Sequence, residues 1–290
     1  MYGIDLLFAG LTLGGLYALV AMGLTLQFGV ARIINLSYGE FLVASSFAAL
    51  ALVNLGINPI AGLVLLIPVG FALHWLIYRV LMLPLVKRTK AGPQLEVDSI
   101  LATFGILFVV QGIMLVVFGG NYFSYSFLSF PIHVLGANVA ANRLLVFTFA
   151  MVIGGGSYLL MTRTRIGMAM RAVATAPSFV SLVGINVIRV SALAFAAGGA
   201  MVAASGVLIS MFLPFTSSMG ALFTMKALVV VIMGGVGNLM GCLVAGMLLG
   251  FAEAFVARYV DPGLTLAANY ALFLAVLLLL PNGIFGRTAR

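Results

Sequence analysis

Chemistry in a polypeptide needs a nucleophile with a base, a carboxylate pair at working distance, or a cluster of metal ligands. This sequence is poor in all three. Its histidines are His74 and His133, its one cysteine is Cys242, and no His-Glu-x-x-His run occurs. The carboxylates Glu40, Glu96, Asp98 and Glu253, read as cytoplasmic to interfacial, show no catalytic spacing. Ser157 follows three glycines but lacks the Gly-x-Ser-x-Gly context of a nucleophile elbow. The Gly-rich run GGVGNLMG (234–241) has no lysine and joins two apolar stretches, so it is no phosphate-cradling loop. The inventory points to a non-hydrolytic chain with no catalytic residue, metal or cofactor of its own. Any ATP that drives it is hydrolysed by another subunit.

The polar groups that remain lie inside apolar stretches. Lys226 and Glu253 fall in consecutive antiparallel stretches, 12 and 15 residues from Asn238, about 18 and 22 Å along a helix axis. They are placed to form a structural ion pair. Gln27, Asn35, Thr103 and Gln111 are uncharged polar groups in or beside such stretches. They are candidates for a translocation pathway, with interhelical hydrogen bonding as the plainer alternative.

The elements that must hold these groups follow from composition. Of 290 residues, 64% are hydrophobic and 7% charged, with a mean hydropathy of +1.27, whereas soluble chains carry roughly 25% charge. Uncharged windows at 6–31, 41–78, 99–142, 144–162, 190–225, 227–252 and 262–286 approach or exceed the roughly 20 apolar residues of a membrane span. The fold class is therefore an all-α polytopic membrane protein. Candidate spans lie near 6–29, 36–55, 59–83, 99–118, 144–161, 190–213, 219–235, 239–257 and 265–281. Nine spans are expected, or eight if the Gly-rich 219–238 is a re-entrant hairpin buried in protein.

The net charge of +8 reads as orientation signal rather than a nucleic-acid surface, because the basic residues form short clusters between spans. Lys87, Arg88 and Lys90 follow the third span and Arg163, Arg165 and Arg171 the fifth, so both clusters are expected to be cytoplasmic. That places Arg32 to Glu40 and the tail with Arg287 and Arg290 inside, and 119–143 and Pro214 to Ala221 outside. No basic segment precedes the first apolar run, whose first charge is Asp5, so it reads as a retained span rather than a signal peptide. Small residues recur four apart at Gly10 and Gly14, Gly237 and Gly241, and Gly246, Gly250 and Ala254, a spacing that lets helix backbones approach closely. A short echo links LTLGGLYALVAMGL (11–24) to FAAGGAMVAASGVL (195–208), in the manner of duplicated transporter halves.

Four stretches carry a family resemblance: GLTLGGLYALVAMGLTLQFGVARIINLSYGEF (10–41), LPLVKRTKAGPQLEVDSILATFGILFVVQGI (83–113), TRTRIGMAMRAVATAPSFVSLVGINV (162–187) and MGGVGNLMGCLVAGMLLGFAEA (233–254). Together they resemble the H-type permease subunit of bacterial branched-chain amino-acid ABC importers. The resemblance implies one transmembrane permease domain (1–290), a cytoplasmic coupling loop at 162–189 holding a short coupling helix, and an external loop at 119–143. It implies a second M-type permease, two ATPase subunits that carry ATP and Mg, a periplasmic solute-binding protein, and residence in the bacterial inner membrane. Gly167, Arg171, Ala172, Ala176 and Gly184 would form the ATPase-coupling surface. Within that loop, Thr175 is expected to cap a short helix with Pro177 in its first turn and Gly184 at its end. The solute implied is a branched-chain or other amino acid. The alternative is an autonomous channel or facilitator for a small neutral solute such as urea or an amide.

Overall fold

The computed structural model describes residues 2–89, 93–134 and 137–286. Lys90, Arg287 and Arg290, three of the orienting charges, lie outside them. The chain is an all-α membrane protein. Among the described residues, seven helices are long and apolar enough to span: α1 (Gly3–Ala31, beginning at Tyr2), α3 (Pro59–Arg88), α4 (Gln94–Phe118, from Pro93), α5 (Ala141–Arg163), α7 (Val187–Ser210), α9 (Leu239–Tyr259) and α10 (Thr265–Leu279, with a preceding turn from Pro262). Two shorter apolar helices, α2 (Tyr38–Asn54) and α8 (Gly220–Gly234), have 17 and 15 residues. At 1.5 Å per residue they reach only about 26 and 22 Å, short of the roughly 30 Å hydrocarbon thickness. A further helix, α6 (Arg165–Thr175), follows α5. A small antiparallel hairpin of β1 (Pro131–Val134) and β2 (Ala137–Ala140) precedes α5.

Local chemistry sets the helix starts. The Asn58, Asn186 and Asn238 side chains accept from the amides of Ile60, Arg189 and Gly241, capping α3, α7 and α9. Pro59 and Pro93 occupy first positions, where a missing N–H costs nothing. Gly235 and Gly237, at φ +95° and +82°, form the turn between α8 and α9 in conformations that favour glycine.

The packing core is an antiparallel pair, α1 against α7, and each also packs a second long helix. The small residues of α1 and α9 make one continuous seam. Gly250 packs on Gly14 and Gly10, Gly246 on Ala18, and Phe251 covers Gly10; a Cβ on Gly246 would come 2.5 Å from the Ala18 backbone nitrogen. Across the molecule α7 meets α3 in the same way, with Gly199 under His74 and Gly70 against Ala203. Both α1 and α7 are followed by an irregular segment, a short helix and a long helix, and the contacts correspond throughout. As α1 packs α8 and α9, so α7 packs α2 and α3. The 11–24 and 195–208 echo therefore falls on two helices at equivalent places in an inverted structural repeat.

Charge separates the ends of the bundle. Arg32 reaches Ala174 in α6, Arg171 reaches Thr162, and a cluster of Ala31, Ile33, Tyr78, Met82 and Phe195 gathers the ends of α1 and α3 with the start of α7. This basic end carries Arg32, Lys87, Arg88, Arg163, Arg165, Arg171 and Arg189. At the far end Thr12 Oγ1 donates to the Arg143 carbonyl at 3.3 Å.

Candidate functional site

Between α1 and α2 the chain leaves the basic end and climbs back into the bundle as an irregular segment, 32–37, that closes in a turn at Asn35–Tyr38. Its backbone groups, which lipid would leave unsatisfied, meet side chains in turn. Ile34 N–H donates to Ser99 Oγ at 3.1 Å, Thr103 Oγ1 donates to the Ile34 carbonyl at 3.0 Å, and Leu36 N–H donates to Thr103 Oγ1 at 3.1 Å. Thr224 Oγ1 lies 3.2 Å from the Leu36 carbonyl. Asn35 Oδ1 accepts from the Ser37 amide and hydroxyl at 3.1 and 2.6 Å, while its Nδ2 donates to Gln27 Oε1 at 3.0 Å. Gln27 in turn donates to the Phe195 carbonyl at 3.0 Å. Each of these side chains is essentially fully buried.

The segment delivers α2 into the interior. Tyr38 Oη donates to the Gly198 carbonyl at 2.9 Å, and Gly198 stands eleven residues into α7, about 17 Å from its start. The counterpart segment, 211–219, descends from the far end toward α8. It is held by a reciprocal backbone pair of Phe123 with Phe215, both bonds 2.9 Å, and by Ser217 Oγ on the Gly119 carbonyl at 2.7 Å. Beside it Tyr125 Oη meets Ser210 Oγ at 2.9 Å, and burial pushes this phenol above its usual pKa, partly offset by that hydrogen bond.

The N-termini of the two short helices meet. Gly39 N–H donates to Thr224 Oγ1 at 2.8 Å, and a side chain on either Gly39 or Gly220 would run into the other helix. Glu40 is completely buried. Its carboxyl faces Gly220 and the Ala221 amide in the first turn of α8, yet neither oxygen completes a hydrogen bond. A helix N-terminus carries about half a positive charge, and the start of α8 therefore compensates an acid buried between the helices.

A second polar cluster binds α1, α8, α9 and α10. Lys226 Nζ lies 2.8 and 2.9 Å from the two Glu253 oxygens and donates to Tyr17 Oη at 2.7 Å. Tyr17 Oη donates to Glu253 Oε2 at 3.0 Å, and Asn269 Nδ2 donates to the same oxygen at 2.8 Å.

At the basic end, Thr164 caps α6 by accepting from the Gly167 amide at 3.1 Å. Gly167, Met170 and Val173 face inward, and a Cβ on Gly167 would strike the last carbonyls of α5. Arg171 Nη2 donates to the Thr162 carbonyl at 3.3 Å. Ala172 and Ala176 are half-buried and Gly184 is exposed. Beyond α6, Phe179, Leu182 and Val183 are exposed.

This arrangement holds polar groups inside the helix bundle, bonded to one another and to backbone groups. The family described as branched-chain amino acid transport system / permease component matches residues 6–281. The chain belongs to that permease family. LivH, the high-affinity branched-chain amino acid transport system permease protein of Escherichia coli K12, is 30% identical to the permease over 99% of this chain and 96% of its own. BraD, the corresponding protein of Pseudomonas aeruginosa, is 31% identical over 96% and 94%. The probable branched-chain amino acid transport permease LivH of Methanocaldococcus jannaschii is 26% identical over 93% and 89%. No solved structure matches the chain. The permease is a non-enzymatic transporter subunit.

Three of the four residues put forward for a pathway, Gln27, Asn35 and Thr103, converge on the 32–37 segment and hold it in place. Gln111, half-buried on α4, lies apart from them. The segment itself departs from expectation: Glu40 sits in the interior rather than at the cytoplasmic interface, because three side-chain partners let the backbone re-enter. Likewise Gly220 and Ala221 begin a helix inside the bundle rather than closing an outer loop. In the basic loop Thr175 is not the cap of the Pro177 helix. Its hydroxyl donates to the Arg171 carbonyl at 2.8 Å, and Ala176 takes the cap position. Gly184 ends that helical stretch at φ +78°. Residue type and spacing gave no sign of Ser99, Thr224, Tyr17 or Asn269, whose partners lie far off in sequence. A hydroxyl in an apolar run is the one local signal they offer.

Proposed function

We propose that the permease carries branched-chain or other amino acids across the bacterial inner membrane as one subunit of an ATP-driven importer. The observation that carries this reading is the family match over nearly the whole chain. Its companions would be a second, M-type permease, two ATPase subunits supplying ATP and Mg chemistry, and a periplasmic protein that delivers the solute.

The basic end faces the cytoplasm on this reading, since Lys and Arg gather there, and the region 162–189 is the ATPase-coupling loop. Gly167 and Arg171 seat α6 against α5, while Ala172, Ala176 and Gly184, with the exposed apolar side chains of the loop, form the surface an ATPase grips. Residues 119–143 then face the side from which solute arrives. ATP-driven closure of the ATPase pair moves the loop and shifts the permease between outward- and inward-facing states. A shift from 1:99 to 99:1 requires about 5.5 kcal/mol of differential binding, within the means of a large docking surface.

Purification of the chain from its native membrane in mild detergent tests the reading. Recovery of a second permease and ATPase subunits with solute-stimulated ATP turnover supports it. Recovery of this chain alone, moving solute without nucleotide, replaces it with a facilitator.

A further inference from the structure

The cytoplasmic-loop helix and the interior junction of α2 with α8 are separate features joined by one short stretch of chain. Arg32 stands at its lower end. It has φ +57°, in the left-handed region where a side chain is strained. Its Nη2 donates to the Ala174 carbonyl at 3.2 Å. Ala174 lies in the last turn of α6, where carbonyls have no partner within the helix and a cation meets the negative end of the helix dipole. Val30, two residues earlier, packs with Met170, Val173, Val180 and Val190. Arg32 is therefore fixed to α6 by charge, and α1 beside it by apolar contact.

From Arg32 the chain runs irregularly to a turn at Asn35–Tyr38, where Tyr38 N–H meets the Asn35 carbonyl at 3.4 Å, and it is pinned on the way by Ser99, Thr103 and Thr224. Only four residues, 33–36, separate Arg32 from Ser37, and a chain reaches at most about 3.3–3.6 Å per residue, so a segment this short passes on a large displacement rather than absorbing it as a long coil would. Its upper end is the first turn of α2, where Gly39 is bonded to Thr224 and Glu40 lies under the start of α8.

We propose that segment 32–37 is a tension link through which α6 acts on the junction of the two short helices, with Arg32 as its positioning residue. The inference rests on the reading of α6 as the helix that meets the ATPase. Movement of α6 away from the bundle draws on Arg32, the short segment carries the pull past Thr103, and the α2 and α8 N-termini separate. A slack or unhooked segment leaves ATP turnover intact and spends it without moving solute.

The test uses the complex purified with the chain and reconstituted in liposomes, and reads solute moved per ATP hydrolysed. Arg32→Gly removes the guanidinium while suiting the backbone angle, so it isolates the contact from strain. Expected are normal assembly and basal ATP turnover, with a fall in solute moved per ATP of at least about fivefold, the lower range of site-to-site coupling, and substantial recovery in Arg32→Lys. A wild-type ratio in Arg32→Gly overturns the link, as does Arg32→Lys no better than Arg32→Gly. Should Arg32→Gly fail to assemble, Ile34→Cys with Ser99→Cys in a Cys242→Ser background pins the segment by a disulfide. Transport abolished when oxidised and restored by reductant supports the link, and undiminished transport when oxidised overturns it. Absence of ATPase subunits from the wild-type complex would instead remove the importer reading on which the link depends.

Discussion

Lys226 and Glu253 offer a magnitude that can be worked from contacts. Their side chains are 16% and 14% exposed, so the pair is largely withdrawn from solvent, and breaking a buried pair on one side costs about 3–5 kcal/mol. The surroundings reduce that. In Lys226→Met, Glu253 keeps donors from Tyr17 and Asn269, each net worth about 1 kcal/mol, which brings the cost to about 1–3 kcal/mol. In Glu253→Gln, Lys226 keeps Tyr17 Oη and an amide oxygen, and the cost is again about 1–3 kcal/mol. The double variant buries no charge and loses the Lys226 bonds to Glu253 and to Tyr17, about 3 kcal/mol. The singles therefore sum to about 4 kcal/mol, leaving a coupling of about 1 kcal/mol. Reversible unfolding of the purified chain in mixed micelles measures all four corners. Single costs that add to the double within about 0.5 kcal/mol would refute the coupling. A stable double variant that assembles but no longer transports would refute the purely structural role.

The remaining expectations concern the backbone and the seams. Thr103→Val orphans the Ile34 carbonyl and Leu36 amide at once and should destabilise the chain by about 2–4 kcal/mol, against about 1–2 for Ser99→Ala; equal midpoints in the same unfolding assay would contradict the accounting. Gly250→Ala overfills the α1 and α9 seam and should cost about 1–3 kcal/mol, whereas Gly105→Ala, where no atom lies within 4 Å of the added carbon, should not destabilise; midpoint shifts of similar size and sign would be inconsistent with the seam. Arg171→Glu places a negative charge beside the carbonyl end of α5 and should lower solute-stimulated ATP turnover while the complex still assembles. Wild-type stimulation would remove Arg171 from the coupling surface.

What could be read from residues alone follows the range of the forces involved. Span positions follow from hydropathy, which is local, and the long helices fall where the apolar windows lie. The Lys226 and Glu253 proximity was legible because both count back from one turn at Asn238. Small residues at Gly10, Gly14, Gly246 and Gly250 were visible as spacing, but that they form one seam between α1 and α9 depends on tertiary contact. The re-entrant segment was hidden for the same reason. RIINLS looks like a loop between spans, and only Ser99, Thr103 and Thr224, remote in sequence, satisfy its backbone and draw Glu40 inward. The Thr175 cap misled because α6 runs on through Thr175, whose hydroxyl turns back to the Arg171 carbonyl and leaves Ala176 at the head of the Pro177 helix.

The most direct measurement is uptake of labelled leucine into liposomes holding the complete complex purified with this chain, with the solute-binding protein outside and ATP inside. Accumulation against a gradient that requires hydrolysable ATP and the binding protein is the expected result. Equilibration without nucleotide by the chain alone would contradict the importer reading and identify a facilitator.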